Sequence, residues 1–347
     1  MKVLLGLSGG FDSAYAAMLL KDAGHTVEGA VLDMHGYTEI QEAERVANSL
    51  GIPFHVIPCR ELFERTVIET FCDAYARAET PNPCIICNEK VKFRALYEYA
   101  LIHGFDKIAT GHYARITEKD GCISVALPAD LEKDQSYMLY RLPPEILKML
   151  LFPMGNIIKK EAKVEGSPRL LAAAEREESQ DICFVRGESH ADYIERRRGA
   201  FPNGNFVSES GEVLGRHAGI IRYTVGQRKG LGVSAKTRLF VHKIDPVTHI
   251  ITLSDTAPEC RSFLLKDVVF SGITQENALK EDSLFVRVRY TAPPVAARIS
   301  RVDGDFYVTL LEKTRCAVTP GQSAVFYLDD MVALGGFIGK TFSFAKK

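Results

Sequence analysis

The sequence predicts an α/β domain built on a doubly wound parallel sheet, followed by two small all-β domains, the last of them a β-barrel. Three observations carry this. Apolar runs at Val3–Leu5, 26–32 and 54–57 alternate with helix-forming stretches, the spacing of a parallel sheet. A glycine-rich turn joins the first strand to the first helix. From about residue 200 the texture changes to β-rich runs broken by turns such as Asn203-Gly204 and Ser210-Gly211. At 347 residues the chain is long for one domain. The expected division is 1–198, 199–259 and 260–347.

The first turn, Gly6-Leu7-Ser8-Gly9-Gly10-Phe11-Asp12-Ser13, sits between a buried strand and the helix former run 14–20. Glycines let the backbone approach an anion, and the N–H groups of the helix start point at it. Ser8 and Ser13 add hydroxyl donors, and Asp12 is placed to hold a magnesium ion against phosphate oxygens. With no Lys-Ser/Thr pair, this is not the kinase-type P-loop. The Ser-Gly-Gly-x-Asp-Ser pattern resembles the loop of ATP pyrophosphatases, which cleave ATP between its α and β phosphates. The bland alternative is an ordinary glycine turn. The second strand ends near Leu32, which lies either beside an adenine or simply in the core.

Helices at 38–50 and 61–78 lead to Thr80-Pro81-Asn82-Pro83-Cys84-Ile85-Ile86-Cys87-Asn88, which two prolines hold out of helix. A helix from Glu89 to about His103 places Cys87 near a helix N-terminus. The dipole there and Lys90 or Lys92 would lower its thiol pKa, making a nucleophile or a metal ligand. The alternative is half of a structural zinc site, but no second Cys-x-x-Cys exists. The strand 108–113 brings Gly111 and His112 to the same carboxyl edge, Gly111 for close approach to the nucleotide and His112 for phosphate or substrate, or for structure alone. Lys133-Asp134-Gln135-Ser136-Tyr137 is a polar cluster ahead of an apolar helix, Met138–Leu142. The charged stretch 157–178 reads as helix interrupted by Gly166-Ser167-Pro168, and Cys183 falls in an apolar, strand-like run.

In the β half, Phe206–Leu253 forms a small domain, and the strands at 268–271, 284–290, 296–302, 306–311 and 323–328 fit a six-stranded barrel. Asp303-Gly304 is a ready hairpin turn. The loop Gln227–Gly232 combines Arg228 and Lys229 with three glycines, which suits phosphate contact, or is an exposed hairpin.

Net charge is −1, but residues 1–185 hold 20 Lys+Arg against 27 Asp+Glu while residues 186–240 hold 10 against 5. A basic segment attached to an acidic nucleotide domain is compatible with gripping an RNA backbone. No apolar run approaches the ~20 residues of a membrane helix. The first strand begins at once, so no leader is expected. Eight cysteines in such a chain argue for reduced or catalytic thiols, and the expected location is the cytoplasm.

Taken together, these segments resemble the tRNA-specific 2-thiouridylase (MnmA/TrmU) family over nearly the whole length. Ser-Gly-Gly-x-Asp-Ser, Thr-Pro-Asn-Pro-x-x-x-Cys-Asn, Ala-Thr-Gly-His-Tyr, Lys-Asp-Gln-Ser-Tyr, Asp-Ile-Cys-Phe, the run Tyr223–Gly232 and Val288-Arg289-Tyr290 occur in the family's order. The resemblance implies an adenine nucleotide α-hydrolase-like first domain and a tRNA-uridine 2-sulfurtransferase using ATP and Mg2+. ATP adenylates the oxygen at carbon 2 of the wobble uridine, and a persulfide on Cys183 supplies sulfur. That persulfide is loaded by a sulfur-relay protein or cysteine desulfurase, and Cys87 releases the sulfur by forming a disulfide with Cys183. Residues 6–13, Leu32 and Gly111 would hold the nucleotide; Asn82, Pro83 and Cys84 would lie against the base. His112, Lys133, Asp134, Gln135, Arg289, Tyr290 and Gln322 would contact tRNA. The protein is expected to act as a monomer.

The sequence departs from the family at Cys84, where some members carry aspartate, at the short stretch 33–37, which lacks the family's Trp, and at the acidic linker 164–178. Cys84, Cys87 and Cys183 also suffice for a [4Fe–4S] cluster with one open iron; the persulfide relay is the favoured use. Two other functions remain: an adenylating pyrophosphatase acting on a small molecule, and an RNA-binding or sulfur-carrying paralogue. The two cysteines and the β domains weigh against the first, and the intact loop against a paralogue without chemistry.

Overall fold

Strand β1 (Lys2–Gly6) is the centre of the first sheet because its apolar residues are needed on both faces. Leu4 packs into one core with Leu32, Ile57 and Ile108, while Val3 and Leu5 pack into another with Ala14, Tyr15 and Met18. The computed structural model describes residues 1–170, 173, 182–235 and 237–343. Part of the atypical linker, residues 171, 172 and 174–178, and Asp181 of the Asp-Ile-Cys-Phe motif lie outside them.

After β1 come α1 (Phe11–Asp22), β2 (Thr26–Asp33), α2 (Ile40–Leu50), β3 (Phe54–Pro58) and, further on, β4 (Lys107–Thr110) and the short β7 (Leu150–Leu151). The sheet order is β3-β2-β1-β4-β7, and every pairing is parallel. The chain therefore winds one way from β1 to β3 and the other way from β4, so the crevice between the carboxyl ends of β1 and β4 is the topological switch point. The loop of residues 7–10 and Gly111 both open onto it.

Three local expectations need correction. The helix expected from Glu89 begins at Pro83: it runs as α5 (Pro83–Cys87), a π-turn at Asn88–Lys92, and α6 (Phe93–Ile102). A proline in the first turn loses no helical bond, and the Asn82 side chain accepts the Cys84 N–H at 3.2 Å. No α-helix forms at Met138–Leu142. A 3-10 turn at Ser136–Met138 is followed by irregular chain, then α7 (Pro144–Met149). The two tyrosines there point outward to the barrel, with Tyr137 Oη donating to Ser323 O at 2.8 Å and Tyr140 Oη bonded to Ser323 Oγ at 3.1 Å. Cys183 lies in a turn, not a strand, closed by the Val185 N–H on Ile182 O at 2.9 Å.

The second half is β as expected. A four-stranded sheet of residues 204–254 has the order β10-β11-β8-β9, where β8 is Gly204–Val207, β9 Val213–His217, β10 Phe240–Asp245 and β11 Ile250–Ser254. Beyond it β12 (Ser262–Phe270), β13 (Leu284–Arg287), β14 (Val295–Val302), β15 (Asp305–Leu310), β16 (Ser323–Leu328) and β17 (Met331–Phe342) form a sheet that the β12–β17 pairing closes into a six-stranded barrel. Asp303 and Gly304 both take positive φ, 50° and 92°, in the tight turn of the β14–β15 hairpin.

A hairpin of the first domain, β5 (Arg115–Lys119) and β6 (Cys122–Ala126), joins the barrel sheet through the Ala126–Met331 pair. It is reinforced where Ser124 Oγ donates to Val332 O at 2.7 Å. A second tie is ionic: Arg287 Nη1 of β13 lies 2.6 Å from Asp134 Oδ2, whose side chain is only 2% exposed. Asp134 also accepts the Ser136 N–H at 2.9 Å. Removing the cation strands a buried carboxylate, so Arg287→Met should lower unfolding stability by about 3 kcal/mol, and adding Asp134→Asn should recover much of it. Denaturant titration checks this; a change below ~0.5 kcal/mol would show that the tie carries no load.

Candidate active site

The loop is built by its own hydroxyls. Ser13 Oγ donates to Gly10 O at 2.9 Å, accepts the Ser8 N–H at 3.2 Å and lies 3.2 Å from Ser8 Oγ. Gly9 has φ +80°, and a Cβ there would come within 3.1 Å of the α2 backbone. Gly10 caps α1 without a side-chain bond, so the first-turn amides point into the crevice, as anion binding requires. Leu7 and Phe11 are buried, Phe11 stacking on Tyr15, so these two offer backbone only. Gly111 lies against the loop from behind: a Cβ would fall 2.8 Å from the backbone of Asp12 and Ser13.

Asp12 is held from both sides. Lys159 Nζ lies 2.8 Å from Oδ2, and Tyr113 Oη donates to Oδ1 at 2.9 Å. Lys159, the first residue of α8 (Lys159–Gly166), is 5% exposed. Nothing in the local sequence marks it, because the pairing spans 147 residues. A cation therefore does stand at the loop, but it comes from a distant helix.

The crevice continues into a cavity of about 470 Å³ whose lining includes Ser8, Asp12, Leu32, Met34, Lys92, Gly111, His112, Gln135, Cys183 and Arg186. The wall at the end of β2 is made by Leu32 and Met34 together; only Leu32 was legible. His112 Nδ1 is bonded to Thr110 Oγ1 at 2.8 Å, and its ring forms a cluster with those of Phe93 and Phe152. Burial, helped by the Lys92 charge, pushes its pKa well below the usual value, so the ring is neutral at physiological pH. Gln135 pairs with the exit of β4, its Oε1 accepting the Tyr113 N–H at 2.9 Å.

Cys87 is buried, Cys183 half-buried and Cys84 exposed. The lowered Cys87 pKa expected from the sequence is overturned. Burial pushes the thiol up to about 12, and the opposing pull of Lys92 does not overcome it. Cys87 stands in the second turn of a helix that begins at Pro83, away from the free amides of the start. Cys183 is raised too, first by burial and then by the Cys84 thiol. Among the described residues no three His, Cys, Asp or Glu side chains converge so as to hold a metal ion.

Several residues expected to touch tRNA are engaged inside the protein. Asp134 is the buried partner of Arg287. Arg289 Nη2 donates to Thr319 Oγ1 at 2.5 Å, and Gln322 Nε2 donates to Thr80 O at 2.6 Å. Tyr290 stands beside Tyr137, ring centroids 6.0 Å apart, and Lys133 is half-buried with its N–H on Asp130 O at 3.1 Å. Asn82 and Pro83 form the start of the Cys87 helix. The Thr80 N–H also donates to Pro320 O at 2.9 Å, and its hydroxyl lies 3.3 Å from Thr224 Oγ1. All three domains thus meet on the segment that leads to the cysteines.

Half of the ten basic residues of the segment 186–240 are neutralised by carboxylates. Arg186 pairs with Glu39, Arg196 with Glu188, Arg197 with Glu64, Arg198 with Glu69 and Asp73, and Arg222 with Asp192 and Glu195. Arg228 and Lys229 are exposed and have no ion pair among the described residues.

Sequence comparison adds to this geometry. Residues 1–187 match the tRNA methyl transferase HUP domain, 191–255 the tRNA methyl transferase PRC-barrel domain and 260–338 the aminomethyltransferase beta-barrel domain. Over 358 aligned positions the chain is 38% identical to the tRNA-specific 2-thiouridylase MnmA of Clostridioides difficile, covering 98% of each. It is 39% identical to the MnmA of Clostridium perfringens, covering 97% of this chain and 98% of that one. The chain belongs to the tRNA-specific 2-thiouridylase family. The MnmA of Dehalococcoides mccartyi, at 37% identity over 97% of this chain and 96% of its own, shows that the likeness extends beyond the clostridia.

Two outcomes test this site. Burial disfavours the thiolate, so the midpoint of iodoacetamide labelling of Cys183 should lie above that of an ordinary thiol, near pH ~8.5. A plateau at neutral pH would contradict the burial argument. Neutralising Arg228 and Lys229 should weaken tRNA binding and flatten its log–log salt dependence, by about one unit for each phosphate left without its cation. An unchanged slope would make the loop structural.

Proposed function

We infer that the protein is an ATP-dependent tRNA sulfurtransferase that replaces the oxygen at carbon 2 of the wobble uridine with sulfur. The observation that carries this reading is the shared cavity. Its lining includes Ser8, Asp12 and Ser13 of the loop together with Cys183, and Cys87 is buried against Met34, its Sγ 3.8 Å from the Met34 Sδ. A phosphate cradle facing a thiol suits a reaction in which a carbonyl oxygen is first made a leaving group and then displaced by sulfur. The base reaches such a cavity only if flipped out of its stack.

In the first step the uridine oxygen attacks the α-phosphate of ATP and pyrophosphate leaves. The first-turn amides of α1 and the hydroxyls of Ser8 and Ser13 bind the phosphates, with the adenine against Leu32 and Gly111 at its side. Magnesium entering with the nucleotide would offset phosphate charge, and Asp12, whose oxygens each hold one hydrogen-bond partner and keep a second lone pair, would be placed to ligate it. In the second step the terminal sulfur of a Cys183 persulfide forms a bond to carbon 2, and the bond to oxygen breaks with AMP leaving. Cys87, deprotonated as it reacts, then attacks the Cys183 Sγ. The S–S electron pair passes to the sulfur on the base, which remains as the thiocarbonyl, and a Cys87–Cys183 disulfide is left for a thiol reductant. The persulfide comes from a sulfur-relay protein or a cysteine desulfurase.

In the same reading, Asn82, Pro83 and Cys84 lie against the base, and His112, Lys133, Gln135 and Tyr290 line its approach. Asp134, Arg289 and Gln322 serve tRNA by fixing the segment that carries Cys84 and Cys87. Arg228 and Lys229 grip the backbone. The division at 198 and 259 separates catalysis from two tRNA-facing β domains, and the enzyme works as a cytoplasmic monomer. Among the described residues no helix is long and apolar enough to cross a membrane.

The cluster alternative draws on Cys84, Cys87 and Cys183, which influence one another electrostatically. The relay is preferred because it needs only Cys87 and Cys183. Cys84→Ala separates the two: full thiolation under anaerobic conditions supports the relay, and loss of thiolation together with an iron–sulfur absorbance would overturn it. The first step has its own test. ATP should be converted to AMP and pyrophosphate only when tRNA is present, and Asp12→Ala should abolish this; release of ADP would contradict the assignment.

A further inference from the structure

The cavity contains one more charged group, which neither step of the reaction has yet used. Two carboxylates line it, and each has its own cation: Asp12 has Lys159, and Glu39 has Arg186. Lys92 is left over. It is half-buried and lines the cavity, and its ammonium has no hydrogen bond or ion pair among the described residues. Holding an ammonium in a partly desolvated site without a carboxylate is costly unless an anion arrives to meet it.

Helix geometry shows how Lys92 comes to be there. Five residues along an α-helix separate two side chains by about 140° around the axis, which would turn Lys92 away from Cys87. The segment between them is a π-turn, Asn88–Lys92. The extra residue of such a turn takes back ~100°, leaving the two side chains within ~40° of one another. The field of Lys92 is accordingly felt at Cys84, Cys87, Cys183 and His112 alike. His112 is neutral and supplies no competing charge.

We propose that Lys92 is a catalytic residue of sulfur transfer, its ammonium neutralising the negative charge that passes from the attacking persulfide to the departing α-phosphate. The proposal rests on the thiolation reading. At this step an anionic sulfur enters from Cys183 and AMP leaves from the loop, and Lys92 lines the cavity that both share. Sulfur's electron pair makes the bond to carbon 2 and the carbon–oxygen pair leaves with the phosphate, so Lys92 keeps its proton throughout. A fixed charge of this kind, aimed at charge that develops in the transition state, is worth roughly 10²–10³ in rate.

The test is single-turnover thiolation of a tRNA transcript with ATP, magnesium, cysteine and a cysteine desulfurase, read by mass analysis of the wobble nucleoside. Lys92→Ala should slow thiolation by about 10²-fold or more. Added ethylammonium should restore a measurable part of the rate by supplying the missing cation, and Lys92→Arg should retain more activity than Lys92→Ala. Thiolation by Lys92→Ala within about threefold of the wild-type rate would overturn the proposal. So would equally slow thiolation by both variants with no amine rescue and a lowered Tm, the signature of a structural role. A wild-type protein that forms no thiouridine would refute the functional reading itself, and this inference with it.

Discussion

The site depends on one close approach, that of Gly111 to the backbone of Asp12 and Ser13. There is no room for a side chain between them. The contact exists because β1 pairs with β4 in parallel, bringing Gly6 opposite Thr110 and so placing the exits of both strands together. Ser13 then folds back on Gly10, Tyr113 reaches the Asp12 carboxylate, and Lys159 closes the other side from α8. A glycine-rich turn alone would be a flexible loop. Pinned from behind by a second strand and from the side by an ion pair, it becomes a rigid cradle whose amides need no reorganisation to receive phosphate.

The same economy explains the β domains. The cysteine-bearing helix begins at a loop that has little secondary structure of its own, and both β domains hold it. Thr80 takes three bonds: from Gln322, to Pro320 O and with Thr224. A Cβ on Gly321 would strike Thr80 N at 2.8 Å, so the barrel is seated directly on the segment. A displacement of either β domain is thus passed mechanically to the segment that carries Cys84 and Cys87. The annexed β5–β6 hairpin and the Asp134–Arg287 pair keep that frame stiff.

Much of this was legible in the sequence. The alternation of strand and helix, the loop, Gly111 and the barrel's Asp303-Gly304 turn are local patterns, and local patterns read well. What was not legible depended on long-range pairing. Lys159 belongs to the loop only through the fold, and the carboxylates that neutralise Arg186, Arg196, Arg197, Arg198 and Arg222 likewise meet them only through the fold. The Cys87 thiol departs from expectation because its helix starts at Pro83 rather than Glu89 and burial outweighs charge. The long strand β17 leaves no alternation to read, because its apolar and glycine residues are nearly all buried.

The central claim is that one cavity activates a uridine with ATP and then delivers sulfur to it. It is tested most directly by incubating the purified protein with a tRNA transcript, ATP, magnesium, cysteine and a cysteine desulfurase, then digesting the tRNA for mass analysis. The expected result is one oxygen replaced by sulfur at the wobble uridine, with one AMP formed per sulfur inserted. AMP formation with an unaltered wobble uridine, or sulfur appearing at another nucleotide, would contradict it.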